Sequence, residues 1–185
     1  SEHVLLSGEG AELFCKTAGL EQMDADWFVS KAMQERWLKD RNNGKFGTVG
    51  AVALDQNGVI TAATSTGGMY GKRNGRIGDS PIIGAGTYAD EVCGISCTGH
   101  GEYFIRLQVA SRVSALMSYG KLSLEQACDS VIHGPLTKMQ AKGGLIAMDK
   151  RGNTYWSFNT PGMFRASLSS TDSFATIEMF SKEED

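Results

Sequence analysis

The chain has 185 residues, 41% hydrophobic and 21% charged, at a formal net charge of −3, which supplies one hydrophobic core and excludes a disordered chain. Its 23 Gly against 3 Pro point to tight turns and close backbone approaches and away from a helical bundle. The near balance of 18 basic and 21 acidic side chains leaves no basic field for nucleic acid, and no run approaches the ~18 apolar residues of a membrane span, so neither partner is expected and the cytoplasm is the expected compartment.

The sequence opens at Ser1 into the strand-like His3-Val4-Leu5-Leu6, which reads as a cut or processed end. Residues 9–20 predict a helix stopped by Gly19, and residues 24–39 a second one carrying Trp27 and Phe28 on its apolar stripe. The polar stretch DRNNGK at residues 40–45 reads as an exposed linker. Beyond it VGAVALD, Gln56-Asn57-Gly58 and VITAATST spell a hairpin around an Asn-Gly turn. Its strands are apolar on both sides, so both faces are expected to be covered. Residues 67–88 form a long glycine-punctuated loop, a kind that is usually functional in compact domains.

Apolar residues at helical spacing predict one helix over residues 102–119, closed by Gly120. Ser123 to Gln126 matches a capping box and opens a helix that His133-Gly134-Pro135 ends. GGLIAMD, a turn at residues 150–153 and TYWSFNT predict a second hairpin, and residues 173–179 a last strand before an acidic tail at 183–185. Hairpins separated by paired helices give an α+β layered fold. The four cysteines, Cys15, Cys93, Cys97 and Cys128, form no CxxC pair and read as reduced core thiols.

Several residues could carry chemistry. Were the chain cut between Gly47 and Thr48, Thr48 would hold a hydroxyl nucleophile and an α-amine of pKa ~7.7 to 8.0 that serves as its base. A β-branched residue opening a strand is the plainer alternative. Thr64 and Thr66 share one strand face. Arg76 and Asp79 offer a cationic fork and a carboxylate suited to the two charges of an amino acid; a mutual surface salt bridge is the bland alternative. In Ser96-Cys97-Thr98-Gly99-His100-Gly101 the Thr98 hydroxyl and the N–H groups beside the glycines could stabilise an oxyanion, or merely cap a helix. Cys93, Cys97 and His100 match no common zinc spacing, so no metal is expected. GGMYGKR and Gly84-Ala85-Gly86 fit neither a phosphate loop nor a dinucleotide fingerprint.

Together HVLLSGEGAE, FGTVGAVALDQNG, ATSTGGM, GRIGDSPIIGAGTYAD, SCTGHGE, and GGLIAMD with FNTPGM resemble the isoaspartyl peptidase/L-asparaginase family of N-terminal-nucleophile hydrolases, the plant-type asparaginases. The resemblance implies a four-layer αββα sandwich that cleaves itself before Thr48, residues 1–47 being a remnant of the α portion with its linker and residues 48–185 the catalytic β portion, in one domain overall. It implies Thr48 as nucleophile, Thr66 as the assisting hydroxyl, and Thr98 with Gly99 as the oxyanion hole. Arg76 and Asp79 would hold the substrate α-carboxylate and α-ammonium, with Gly101 close to the amine. The implied reaction is hydrolysis of L-asparagine and/or β-aspartyl dipeptides, by homo-oligomers of αβ units. The family's amino-terminal segment, with its His-Gly-Gly-Ala-Gly and Asn-Ala-Gly signatures and its structural sodium loop, is not in this sequence. The fold is therefore expected to be incomplete on that side and to carry no cofactor. The alternative is a truncated, inactive member serving as an assembly or interaction partner.

Overall fold

A computed structural model describes residues 2–39 and 47–180, so the expected linker at 40–45 and acidic tail at 183–185 lie outside the described residues. The chain divides into two compact units, Ser1–Asn43 and Gly44–Asp185. In the first, α1 spans Gly8–Thr17, with Glu9 in its first turn and Lys16 in its last, each charge complementing the helix dipole. Gly19, at φ +70°, ends it as expected. Its N–H bonds Lys16 O at 3.1 Å while Leu20 N–H bonds Cys15 O at 2.9 Å, the closure that a left-handed glycine permits.

The single helix expected over residues 24–39 is instead a 3-10 turn, Ala25–Phe28, and α2, Lys31–Lys39. Val29 is extended between them, and Ser30 starts α2 by accepting the Met33 N–H on its Oγ at 3.2 Å. A capping serine stood inside an apolar periodicity that looked continuous.

In the second unit β1, Thr48–Leu54, and β2, Ile60–Thr66, form the predicted hairpin, in register from Thr48↔Thr66 to Leu54↔Ile60. Asp55 Oδ1 gathers the N–H groups of Asn57 and Val59, both at 2.8 Å, and Gly58 takes φ +81°, so the turn is fixed by local chemistry. The Val59 N–H is the main reason the Asp55 carboxyl sits below its ordinary range. The expectation that both faces are covered is met on one face only among the described residues. Thr48, Gly50, Val52 and Leu54 are half-buried, whereas Val49, Ala51 and Ala53 are exposed. Among the described residues, only one face has a sheet against it.

That sheet is four-stranded and antiparallel, in the order β3, Thr87–Ala89; β4, Cys93–Gly99; β5, Gly143–Asp149; β6, Thr154–Phe158. The β3–β4 turn falls at the end of the expected loop and is built by Asp90 Oδ1, which accepts from Val92 N at 2.8 Å and Cys93 N at 3.0 Å. The hairpin lies face to face on β4 and β5, and two glycines allow the approach. A Cβ on Gly50 would stand 2.1 Å from Ser96 Oγ, and one on Gly94 2.7 Å from both Val52 Cγ1 and Ile60 Cγ2. With Val52 over Gly94 and Gly50 over Ser96, the same two-residue step leads to Thr48 and Thr98 at the strand ends.

The opposite face of the sheet carries helices. Ile95, Cys97 and Leu145 pack there with Phe104, Val113, Cys128 and Val131. The one helix expected over residues 102–119 is two, α3, Gly101–Leu107, and α4, Val109–Ser118, separated by Gln108 in the left-handed region at φ +50°. The break lets Ala110 N and Ser111 N bond Ala85 O at 3.2 Å and Gly84 O at 2.9 Å, so a distant turn takes donors that a continuous helix would have used. α5, Leu124–Val131, has the predicted capping box. α5 stops at Val131, just ahead of His133-Gly134-Pro135 as expected, and the chain continues through a π turn, Ile132–Leu136, kinked at Gly134.

β7, Gly162–Ser167, pairs antiparallel with β8, Thr176–Phe180. β8 corresponds to the expected last strand, while β7 was not predicted. Phe164 faces out, 79% exposed, and Arg165 is buried. Arg165 Nη2 meets Glu178 Oε2 at 3.1 Å, and its guanidinium lies over the rings of Trp156 and Phe158, so the polar residue faces in and the aromatic one out. The fold is α+β, and no described helix is long and apolar enough to cross a membrane.

Candidate active site

The end of the β1–β2 hairpin brings three expected residues together. Thr66 Oγ1 donates to the carbonyl oxygen of Gly47 at 2.7 Å, and Thr48 Oγ1 donates to Thr66 Oγ1 at 3.4 Å. The Gly68 N–H also donates to Thr66 Oγ1, at 3.0 Å. Thr66 therefore bridges the hydroxyl and the upstream carbonyl of the same Gly47–Thr48 peptide. Among the described residues nothing lies within 4 Å of where a Gly47 Cβ would stand. Thr64 serves the sheet stacking instead, with its Oγ1 2.6 Å from Ser96 Oγ and 3.2 Å from Gly86 O.

Gly86 backs onto Asp79: a Cβ there would stand 2.5 Å from the Asp79 carbonyl and 2.7 Å from Asp79 Oδ2. Asp79 is only 5% exposed and its Oδ2 has no hydrogen-bond partner among the described residues. Burial holds its carboxyl above the ordinary range in spite of the neighbouring Arg76 charge. The simple salt bridge considered for Arg76 and Asp79 is not what forms. Arg76 pairs with Glu102 instead, Nε to Oε1 at 2.9 Å and Nη2 to Oε2 at 3.1 Å, and that bond draws the Glu102 carboxyl below its ordinary range. Arg76 and Asp79 nevertheless converge on Gly101, where a Cβ would stand 2.8 Å from Asp79 Oδ1 and 3.0 Å from Arg76 Nη2. The expected fork, carboxylate and glycine are thus gathered, with Asp79 keeping an unused acceptor. The sequence reading missed Glu102, although it closes the GHGE string.

Thr98 and Gly99 end β4. Gly99 takes φ +149°, and a Cβ on it would stand 2.5 Å from Lys142 O and 2.8 Å from the Phe104 ring. The next residue is pinned to the same neighbour, His100 N to Lys142 O at 2.9 Å and Lys142 N to His100 Nδ1 at 3.1 Å. Asn159 was also missed. Its Oδ1 accepts from Gly143 N at 2.9 Å, and its Nδ2 reaches Thr137 Oγ1 at 2.9 Å and Ala141 O at 2.8 Å, which braces β5 opposite Gly99. Cys93, Cys97 and Cys128 are buried free thiols and Cys15 is half-buried. Burial pushes Cys93 up to about 12 and Cys97 and Cys128 well above the usual thiol range, which leaves no thiolate for nucleophilic attack near neutral pH. Among the described residues no group of three or more His, Cys, Asp or Glu is placed to hold a metal ion.

The sequence matches the family described as Asparaginase over residues 1–178. It is 46% identical over 182 residues to the isoaspartyl peptidase of Escherichia coli (strain K12), covering 90% of this chain and 57% of that protein. It is 38% identical over 213 residues to the probable isoaspartyl peptidase/L-asparaginase 2 of Arabidopsis thaliana, covering 97% of this chain and 65% of that protein. For the isoaspartyl peptidase/L-asparaginase of Xenopus laevis the identity is 36% over 177 residues, with 91% of this chain and 57% of that protein covered. The chain thus spans between about half and two thirds of the length of these relatives. With a match over nearly all of its residues, the chain belongs to the asparaginase family that includes the isoaspartyl peptidases.

Proposed function

We propose that this protein cleaves itself between Gly47 and Thr48 and then hydrolyses L-asparagine and/or β-aspartyl dipeptides with Thr48 as nucleophile. The observation that carries the reading is the Thr66 hydroxyl, 2.7 Å from Gly47 O and 3.4 Å from Thr48 Oγ1. Hydrogen bonding to that carbonyl oxygen stabilises the negative charge that forms when a nucleophile adds to it. Attack of Thr48 Oγ on the Gly47 carbonyl breaks the peptide C–N bond, leaving Gly47 esterified to Thr48 and the Thr48 nitrogen as an amine. Water then hydrolyses the ester and releases the Gly47 carboxylate.

In the matured protein the freed Thr48 amine takes the proton of its own hydroxyl as that oxygen adds to the substrate side-chain carbonyl. The Thr98 hydroxyl and Gly99 N–H hold the oxyanion, ammonia or an amino acid leaves with the proton, and water releases aspartate from the Thr48 ester. Arg76 binds the substrate α-carboxylate. Asp79, buried with an unused Oδ2, accepts from the α-ammonium, and Gly101 leaves the space. Nucleophile, base and oxyanion donors all come from the chain, so the reading calls for no cofactor. We place the protein in the cytoplasm, as a homo-oligomer of αβ units. We also propose that a further helical layer covers Val49, Ala51 and Ala53, giving the four-layer αββα sandwich. Intact-mass measurement on purified protein tests the central claim: two fragments meeting at Gly47 and Thr48, and a single chain for Thr48→Ala. Cleavage persisting in Thr48→Ala would assign it to an external protease.

A further inference from the structure

The Thr66 hydroxyl has one proton, and where that proton goes depends on what fills its lone pairs. Two donors approach it, Thr48 Oγ1 at 3.4 Å and the Gly68 N–H at 3.0 Å. With both accepted, the remaining proton is directed to Gly47 O at 2.7 Å. The Gly68 N–H does this only while the chain turns sharply after β2, and Gly68 stands at φ +81° there.

One side chain is wrapped around that turn. Lys72 Nζ donates to Gly67 O, and its stem lies across the Cα of Gly68. A Cβ on Gly68 would stand 2.6 Å from Lys72 Nζ, 2.9 Å from Cδ and 3.3 Å from Cε. The Gly67–Gly68 peptide is therefore held from one side by an ammonium on its carbonyl and from the other by Thr66 on its N–H. An ammonium on the carbonyl also polarises the peptide and strengthens the N–H as a donor.

We propose that Lys72 is a positioning residue for the Thr66 hydroxyl, acting through the Gly67–Gly68 peptide, in both self-cleavage and turnover. It touches neither the scissile bond nor the substrate; it fixes the hydroxyl that does. This rests on the reading of Thr48 as the self-cleaving nucleophile. Lys72 is exposed, so its replacement leaves the core intact, and Lys72→Met keeps the stem while removing the donor.

The test follows self-cleavage by intact mass in wild type, Lys72→Met, Lys72→Arg and Gly68→Ala. Lys72→Met slows cleavage about tenfold, less than the ~10²-fold loss that a 1 Å misplacement produces, and Lys72→Arg restores most of the rate because it keeps a donor. Gly68→Ala, whose Cβ displaces the lysine and also strains a backbone at φ +81°, is slowed at least as much as Lys72→Met, and adding Lys72→Met to it costs little more. In the matured protein Lys72→Met lowers kcat with KM unchanged, equally for L-asparagine and a β-aspartyl dipeptide. Wild-type cleavage matched by Lys72→Met would overturn the role of Lys72 and leave the nucleophile reading standing. A KM increase confined to the dipeptide would overturn it too, by making Lys72 a contact of the leaving group. A wild-type chain that never cleaves would overturn the reading beneath it.

Discussion

Thr66 Oγ1 lies 2.7 Å from the carbonyl oxygen of Gly47, the residue before Thr48, although the two positions are far apart in sequence. The antiparallel register explains it: Thr48 pairs with Thr66, so the last hydroxyl of β2 meets the peptide that enters β1. A donor already in place on a carbonyl needs no reorganisation when charge develops there. Thr66→Val keeps the β-branched shape and removes the hydroxyl. We expect it to fold with an unchanged far-UV spectrum and to cleave more slowly by on the order of 10²-fold. Cleavage at the wild-type rate would leave the contact without a role.

Arg76 is already occupied on one side, since Glu102 takes Nε and Nη2. A guanidinium keeps a second pair of donors beyond that edge, and a planar fork locked by one carboxylate is pre-organised for another. Lysine offers no second edge. Arg76→Lys should weaken L-aspartate binding by about tenfold or more, and Glu102→Gln, which keeps an acceptor on half-exposed ground, by less. Calorimetric titration reads both. Equal affinity for wild type and Arg76→Lys would remove Arg76 from the binding site.

What could be read from the sequence was what neighbouring residues decide between themselves. The β1–β2 and β5–β6 hairpins were legible because Asp55 and Asp149 each fold their own turn, Asp149 Oδ1 accepting from Arg151 N at 2.8 Å and Asn153 N at 3.0 Å. The Ser123 capping box and the Gly19 stop were legible for the same reason. The break at Gln108 was not, because Gly84 and Ala85 supply the acceptors for the start of α4. β7 was hidden because Arg165 turns inward onto Trp156 and Phe158, which inverts the alternation that a half-buried strand normally shows. In the site, the residue types of Thr48, Thr66, Arg76 and Asp79 were legible, but the pairing of Arg76 with Glu102 was not, since those two residues lie 26 apart in sequence and meet only in the folded chain.

Asp79 ties pH to both binding and stability. Its buried carboxyl titrates above its ordinary 3.8, so between the unfolded and the folded pKa the native chain holds a proton that the unfolded chain has released. The stability this group contributes is present below 3.8 and is lost as pH rises to the folded pKa. Binding runs the other way, because an α-ammonium needs the ionised form. L-Aspartate affinity should therefore increase as pH rises through the folded pKa of Asp79. Asp79→Asn should abolish that dependence and lose about 2 to 5 kcal/mol of binding by leaving the ammonium unpaired, without a drop in thermal stability. An affinity profile identical in wild type and Asp79→Asn would place the ammonium elsewhere.

Gly101 separates recognition from folding most cleanly. A Cβ there would stand 2.8 Å from Asp79 Oδ1, 3.0 Å from Arg76 Nη2 and 3.0 Å from Asp79 N. Two of these atoms are the ends of side chains, but the third is backbone, so the loop itself must move. Gly101 opens α3 and is buried; its φ is not positive, so alanine fits its backbone and the added methyl is the whole perturbation. Overpacking of that kind costs about 1 to 3 kcal/mol, which a folded domain tolerates. The displacement falls on the two groups proposed to grip the substrate, and a misplacement near 1 Å costs ~10²-fold in rate. Gly101→Ala should therefore still cleave between Gly47 and Thr48, since Thr48, Thr66 and Gly47 are untouched, while L-aspartate binding and turnover collapse. Loss of self-cleavage in Gly101→Ala would mean that the loop also supports the nucleophile, and retained aspartate affinity would mean that Arg76 and Asp79 do not bind where they converge.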